Sequence, residues 1–351
     1  MKYTCVDGFS GAGGLSLGLQ KAGFDVLLSF DNDPTSIETQ KINKRYFDHE
    51  VAVVDIVSYL KGDAFLKKTK LKKKELFLMA GGPPCQGFSV QRIGENNDVR
   101  NDLVLAYGKL IDQARPKFFL LENVPGILGA RGKLIVEEFL SRMKKIGYHP
   151  YYKTLNAEDY GVPQRRKRVF IVGIRDDVHR GEFHFPKPTT PKNTRITVKD
   201  IIGNLPEPPV DGSEHARIPH HRRDKLNAIN LKRIRALKPG QGMEYLPVEL
   251  LADCHKAGAD KIGHRNVYGR MEWDEVAPTI TARFDSFTRG KFGHPVQDRS
   301  ITLREGALLQ TFPRDFKFAG NKVDIARQIG NAVPVRLAEI IGKQILKYYK
   351  S

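Results

Sequence analysis

Through its first half the chain alternates short apolar or β-branched runs with stretches whose apolar residues recur at helical spacing. A strand, a crossover helix and a second strand build a parallel sheet, because parallel neighbours cannot be joined by a tight turn. The alternation therefore predicts an α/β fold: a doubly wound, mostly parallel, Rossmann-like sheet with helices on both faces. Strands are expected at residues 3–7, 25–30, 51–54, 76–80 and 118–121, with two more near 151–155 and 168–173. Helices are expected at Gly14–Ala22 with Gly23 as the stop, at 34–45 with Pro34 in the first turn, at Asn101–Ala114 and at Lys133–Lys145.

Beyond Ile174 the periodicity fades into prolines, glycines and dispersed basic residues, and it returns at 303–312 and in a closing helix at 334–348. This change predicts two domains. Residues 1–178 and 325–351 form the sheet domain, and residues 179–324 form a second, smaller and irregular one.

The 58 Lys and Arg outweigh the 40 Asp and Glu, giving a formal charge of +18 and a pI near 9.7. Such an excess fits a polyanionic partner, most simply nucleic acid. The run Lys67-Lys68-Thr69-Lys70-Leu71-Lys72-Lys73-Lys74 reads first as a solvated helix end and loop, ahead of a dedicated phosphate patch. No apolar run is long enough for a membrane span, and the first residues enter a strand pattern at once, so the cytoplasm is the expected location. Cys5, Cys85 and Cys254 are too few and too far apart for a disulfide framework or a zinc pattern, so any metal site would have to lack cysteine pairs.

Five strand ends carry chemistry. Asp7-Gly8-Phe9-Ser10-Gly11-Ala12-Gly13-Gly14 lies where the first strand turns into the first helix, and its glycines let a nucleotide-like ligand approach the backbone. Asp31 ends the second strand, where an acid can accept from ribose hydroxyls, and Asp55 follows the third, within reach of an adenine amino group. Simple turn chemistry is the alternative for the glycines alone. In Gly81-Gly82-Pro83-Pro84-Cys85-Gln86-Gly87-Phe88-Ser89, a thiol follows a buried strand between prolines and glycines. Cys85 is either a nucleophile or a small apolar residue at a strand end. Glu122 follows four apolar residues; unpaired it would hold its proton more tightly, and the alternative is a salt bridge to an arginine of Gln164-Arg165-Arg166-Lys167-Arg168.

Taken in order, these motifs closely resemble those of the C5-cytosine DNA methyltransferases. The likeness continues through Asp159-Tyr160-Gly161-Val162-Pro163, Pro278-Thr279-Ile280-Thr281, Gln310-Thr311-Phe312-Pro313 and Gln328-Ile329-Gly330-Asn331-Ala332-Val333-Pro334, nearly the whole chain. The resemblance implies methyl transfer from S-adenosylmethionine to C5 of a flipped-out cytosine in a short double-stranded DNA sequence. It implies Cys85 as the nucleophile at C6, Glu122 at N3, Arg166 and Arg168 as the family's basic positions, with Arg168 holding the base and supporting charge on its carbonyl, and no metal. Phe9, Gly11, Gly13, Gly14, Asp31, Asn32, Asp55, Ile56, Pro84, Leu103, Asn331 and Ala332 would hold the cofactor.

In the family the ribose acid is usually glutamate, one methylene longer than Asp31. Asn32 stands where an aromatic ring often stacks on the adenine. Gln86, Ser89, Gln164, Arg265, Arg270, Arg283 and Arg289 are the expected DNA contacts, with residues 179–298 as the target-recognition region. A monomer paired with a restriction endonuclease and associated with the nucleoid completes the expectation. The alternatives are a tRNA cytosine methyltransferase on the same motifs, disfavoured by the long recognition segment, and an inactive DNA-binding relative, disfavoured by intact Cys85, Glu122 and Arg168. A nicotinamide dehydrogenase has only the glycine turn in its favour.

Overall fold

A computed structural model describes residues 2–84, 101–130, 132–256 and 267–351. The chain packs as two compact units. The first comprises Met1–Asn156, Lys167–Pro188 and Val333–Ser351, and the second Ala157–Arg166 and Thr189–Ala332.

In the first unit the elements run β1 (Thr4–Gly8), α1 (Gly14–Ala22), β2 (Asp25–Asp31), α2 (Pro34–Ile42), β3 (Glu50–Val53), α3 (Ile56–Tyr59), α4 (Ala64–Thr69) and β4 (Leu78–Gly81). They continue as α5 (Asn101–Ala114), β5 (Phe118–Asn123), α6 (Lys133–Lys145), β6 (Tyr148–Asn156) and β7 (Lys167–Arg175). The seven strands form one sheet in the order β3-β2-β1-β4-β5-β7-β6. The first five are parallel, and β7 runs antiparallel to both β5 and β6. Phe118, Phe119, Leu120 and Leu121 are wholly buried because a central strand of a parallel sheet is covered on both faces.

The local signals act where the sequence places them. Gly23 closes α1 in the left-handed region at φ 104°, and the Asp33 side chain caps α2 by accepting from the Thr35 N–H, with Pro34 in the first turn. Helix α2 stops at Ile42 instead of continuing to Arg45. Asn43 turns its side-chain amide back onto the Thr39 carbonyl at 2.6 Å, which competes with the next helical bond. Strand β4 begins at Leu78, two residues later than expected.

The second unit contains α7 (Val198–Ile202), α8 (Ala228–Arg235), α9 (Asp253–Lys256), α10 (Leu303–Leu309) and α11 (Lys322–Asn331). The chain then returns to the first unit as α12 (Val335–Lys350), which packs on α1 so closely that a Cβ on Gly18 would stand 2.4 Å from that of Ala338. The unit boundaries differ from 178/179 and 324/325. Residues 179–188 stay with the first unit, where the Tyr348 hydroxyl accepts from the Arg180 N–H and donates to the Gly181 carbonyl, both at 2.9 Å.

Among the described residues of the second unit, β-structure is limited to isolated bridges such as Arg270 with Gly293. Carbonyls that no ladder satisfies still need donors once buried, and arginines supply them. Arg304 donates to the carbonyls of Pro219, Pro313 and Phe316. Arg299 makes a two-pronged ion pair with Glu305 at 2.7 and 2.8 Å, both side chains about 1% exposed. Part of the positive charge is therefore committed to holding the fold.

Candidate active site

In the first unit the carboxyl ends of β1, β2, β4 and β5 share one edge of the sheet, where ligands gather in folds of this class. After Gly8 the chain turns through Phe9 at φ 58°, Gly11 at φ 52° and Gly13 at φ 86° before Gly14 opens α1. The positive φ of Phe9, costly for a residue with a side chain, marks a strained turn. A Cβ on Gly13 would stand 2.4 Å from the Phe47 ring, whereas one on Gly11 would meet no heavy atom within 4 Å. The turn is thus packed from behind at Gly13 and open at Gly11.

Asp31 closes β2 beside this turn. One carboxylate oxygen accepts from the Gly11 N–H at 2.8 Å and the other from the Asp33 N–H at 2.9 Å. Burial, the largest influence, raises its pKa; the two N–H bonds oppose that, and the charge of Asp33 adds to it. Asn32 is exposed, and Phe9 is half-buried with its ring edge-on to Tyr107 at 6.4 Å. Asp55 lies past the end of β3, where it caps α3 by accepting from the Val57 N–H at 2.9 Å. Ile56 is buried, and Leu103 and Pro84 are half-buried. Asn331 and Ala332 belong to the second unit, where the Ala332 carbonyl accepts from Arg166 at 3.0 Å.

Glu122 and Arg168 meet across β5 and β7. Glu122 pairs in register with Phe170, so Arg168, two residues away along β7, presents its side chain on the same face. Arg168 Nε lies 2.9 Å from Glu122 Oε1, and both side chains are about 10% exposed. Burial draws the Arg168 pKa down, and the Glu122 carboxylate acts in the opposite direction. The salt bridge weighed as the alternative for Glu122 is therefore present.

The other carboxylate oxygen of Glu122 faces Gly82, where a Cβ would approach it to 3.1 Å. Next to it, the Asn123 side chain donates to the Pro83 carbonyl at 3.0 Å and accepts from the Val124 N–H at 2.9 Å. The segment entering Cys85 is thereby tied to the end of β5. Cys85, Gln86, Ser89 and Arg265 lie outside the described residues.

Three expected site residues have other work. Gln164 is wholly buried, donating to Gln310 at 3.0 Å and accepting from the Ile280 N–H at 2.8 Å. Arg270 donates to the carbonyls of Ile234, Leu237, His294 and Gln297 and pairs with Asp298 at 2.5 Å. Neither side chain is placed for a DNA contact, because each is a buried partner of its own unit. Arg166, about 1% exposed, donates to the carbonyls of Ile280, Gly330 and Ala332, bonds that tie its guanidinium to the backbone of the second unit. Arg283 and Arg289 are exposed, Arg283 with its Nε 3.2 Å from Asp285.

Two residues went unassigned from sequence. Asn123 stood inside the Glu122-Asn123-Val124 motif, and its adjacency to the acid was the available signal. Asp7, wholly buried, accepts from the Ser16 hydroxyl at 2.5 Å. Burial pushes its pKa up to about 7 against the Ser16 bonds, with the charges of Asp31 and Glu122 adding to the rise.

Residues 3–347 match the family model for the C-5 cytosine-specific DNA methylase. The type II methylase M.HgiDII of Herpetosiphon aurantiacus is 35% identical over 99% of this chain and 96% of its own length. The type II methyltransferase M1.HphI of Haemophilus parahaemolyticus is 34% identical over 99% of this chain and 87% of its own length. Among solved structures, a protein described as a DNA modification methyltransferase encoded within an E. coli prophage superposes with a TM-score of 0.74 at 27% identity, each chain covered in full. The Dnmt2 methyltransferase of S. pombe, 17% identical with a TM-score of 0.61 and 99% of each chain covered, shares the fold.

Proposed function

The chain belongs to the C-5 cytosine-specific DNA methylase family, and from this premise we propose how its residues methylate cytosine in duplex DNA. The observation that carries the proposal is the Glu122–Arg168 pair beside the anchored segment that leads into Cys85. The target base must leave the duplex to present C6 to a thiol, at a cost of a few kcal/mol. The Cys85 thiolate bonds to C6 of the flipped cytosine, and the displaced electron pair moves toward N3. Glu122, held through Oε1 by Arg168, shares a proton with N3 through the oxygen that faces Gly82.

The ring then carries excess electron density at C5, the atom that takes the methyl group. Loss of the C5 proton to solvent, breaking of the S–C6 bond and return of the N3 proton restore the aromatic base and the free thiolate. Arg168 keeps Glu122 oriented throughout and offsets its charge in a nearly dry site.

The residues at the sheet edge fit S-adenosylmethionine as the methyl donor. Gly11 is open where a ligand must approach, and Asp31, although it accepts two N–H bonds, retains lone pairs for ribose hydroxyls. The motifs assign Phe9, Gly13, Gly14, Asn32, Ile56, Pro84 and Leu103 to the same ligand; Asp55 accepts its capping bond through one carboxylate oxygen. When bound, the cofactor supplies an electrophilic methyl group. Exposed Arg283 and Arg289 in the second unit contact DNA, and the modified site protects host DNA from a partner endonuclease in a cytoplasmic restriction-modification pair.

Transfer of labelled methyl groups to duplex DNA tests the substrate, and DNA carrying 5-fluorocytosine tests the covalent step. Wild-type protein should be trapped on that DNA, because fluorine at C5 blocks the elimination. A trapped adduct with Cys85→Ser would remove Cys85 from its role. Bisulfite sequencing of DNA from expressing cells would read the site and its flanking bases.

A further inference from the structure

We propose that Gln40, on α2, is a positioning residue for the methyl donor: it fixes the peptide of Gly11 from the side opposite the open face of the turn. The inference rests on the proposed cofactor role of that turn. Gln40 is wholly buried, and its side-chain nitrogen donates twice, to the Gly11 carbonyl at 2.8 Å and to the Ser10 hydroxyl at 2.9 Å. The Gly11 N–H is meanwhile taken by Asp31 at 2.8 Å. Both backbone polar groups of Gly11 are therefore held, one by the end of β2 and one by α2.

A glycine at φ 52° has wide conformational freedom, so without such bonds its peptide would sample several orientations. Ligand binding would then have to order it, at an entropic cost that the bonds remove beforehand. Gly11 is also the turn residue whose Cβ direction is free of neighbours. The clamp thus acts from behind the surface that a ligand would touch.

Gln40 is itself fixed by a directional chain. Its side-chain oxygen accepts from the Ser29 hydroxyl at 2.6 Å, and that hydroxyl stands 3.0 Å from His49 Nε2. With the Ser29 proton committed to Gln40, His49 must donate through Nε2, which leaves Nδ1 to accept from the Gln20 amide at 3.5 Å. Burial pushes the His49 pKa down to about 4, so near neutral pH the ring has the one N–H that this chain requires. The ring of Phe47, edge-on to His49 at 5.7 Å, also fills the space behind Gly13. Each donor along the path has one acceptor, which leaves the Gln40 amide a single orientation.

The test is steady-state methylation of duplex DNA over a range of S-adenosylmethionine concentrations, with calorimetric titration of S-adenosylmethionine into the protein. Gln40→Met keeps the side-chain length and removes both donors. The expected result is a KM and Kd for S-adenosylmethionine about tenfold higher, with kcat at saturating cofactor and KM for DNA within about twofold of wild type. Ser29→Ala, which frees Gln40 without deleting it, should raise the same two constants by about threefold. It carries the test alone if Gln40→Met does not fold. Unchanged cofactor constants, or a fall in kcat with KM for the cofactor unmoved, would overturn the clamp. Failure of the wild type to bind S-adenosylmethionine would instead overturn the cofactor reading on which the clamp depends.

Discussion

Arg168 Nε stands 2.9 Å from Glu122 Oε1, joining antiparallel neighbours β7 and β5 at a point where each side chain is nearly closed to water. Removing one member leaves the other as a buried charge without its counterion, which costs about 3–5 kcal/mol. Arg168→Met should therefore destabilise the protein strongly, and Glu122→Gln in the same chain should recover a large part of the loss. The activity should not follow that pattern, since the proposed reaction needs the carboxyl group at N3. Denaturant melts should show the recovery while methyl transfer stays lost in the single and double variants. Additive stability losses would mean that the two side chains do not act as a pair.

Gly82 is required by the same carboxylate. A Cβ there would stand 3.1 Å from the Glu122 oxygen that faces it, so Gly82→Ala should shift the group proposed to meet N3 by a few tenths of an ångström. The expected result is a severalfold fall in kcat, smaller than the roughly hundredfold loss that misplacement by about 1 Å brings, with S-adenosylmethionine affinity unchanged. A rise in cofactor Kd with normal kcat would place the effect on the other side of the site.

Asn123 makes a parallel case with a smaller stability cost. Its bond to the Pro83 carbonyl ties the segment before Cys85 to β5, and deleting one such bond costs about 1 kcal/mol. Asn123→Ala should lose only a few degrees in Tm but slow the formation of the adduct with 5-fluorocytosine DNA, followed by rapid quenching. Trapping at the wild-type rate would show that the tether is not needed to present the thiol.

What the sequence showed and what it hid follow from the same physics. Residues 118–121 read as a strand because a doubly covered strand needs unbroken apolar character, and Gly23 read as a stop because the left-handed region favours glycine. Asp31 could be placed at the end of β2, but its bonds to the Gly11 and Asp33 N–H groups depend on tertiary closure. Gln40 looked like any polar residue of a short helix. Arg270 was expected to face DNA because a basic residue in an irregular, glycine-containing segment looks the same whether it faces DNA or fills the need of buried carbonyls, and the Gln164–Arg168 motif that carries Arg166 does not show its bonds to the Ile280, Gly330 and Ala332 carbonyls. Sparse secondary structure raises that need, which gives a physical reason to divide the arginines of such a segment between both uses.

Asp7 predicts a pH effect of opposite sign to that of a salt-bridged carboxylate. Its folded pKa is raised to about 7 by burial, against about 3.9 in an unfolded chain. Its contribution is therefore fully present below about pH 4 and is lost as pH rises through 7. Asp7→Asn removes the ionisation while keeping an acceptor for Ser16. Thermal melts at pH 5.5 and 8.5 should show wild type losing stability relative to the variant at the higher pH. A gap independent of pH would mean that Asp7 titrates at its ordinary value.

The second unit separates DNA contacts from scaffold arginines in one set of measurements. Each phosphate neutralised on duplex DNA contributes about −0.9 to the slope of log affinity against log salt. Arg283 and Arg289 are exposed, so Arg283→Ala and Arg289→Ala should weaken DNA binding and make that slope shallower by about one such step each, with little change in Tm. Arg270→Met should do the reverse. It leaves the buried carbonyls of Leu237 and His294 without the Arg270 donor, at about 1–3 kcal/mol each, while those of Ile234 and Gln297 still accept from the Leu237 and Arg299 N–H groups at 3.1 and 2.9 Å, so the loss appears first in stability. Fluorescence anisotropy across a salt series, with melts of the same samples, reads both quantities. An unchanged slope for Arg283→Ala and Arg289→Ala would move the DNA surface elsewhere, and a stable Arg270→Met with weakened DNA binding would return that residue to the interface.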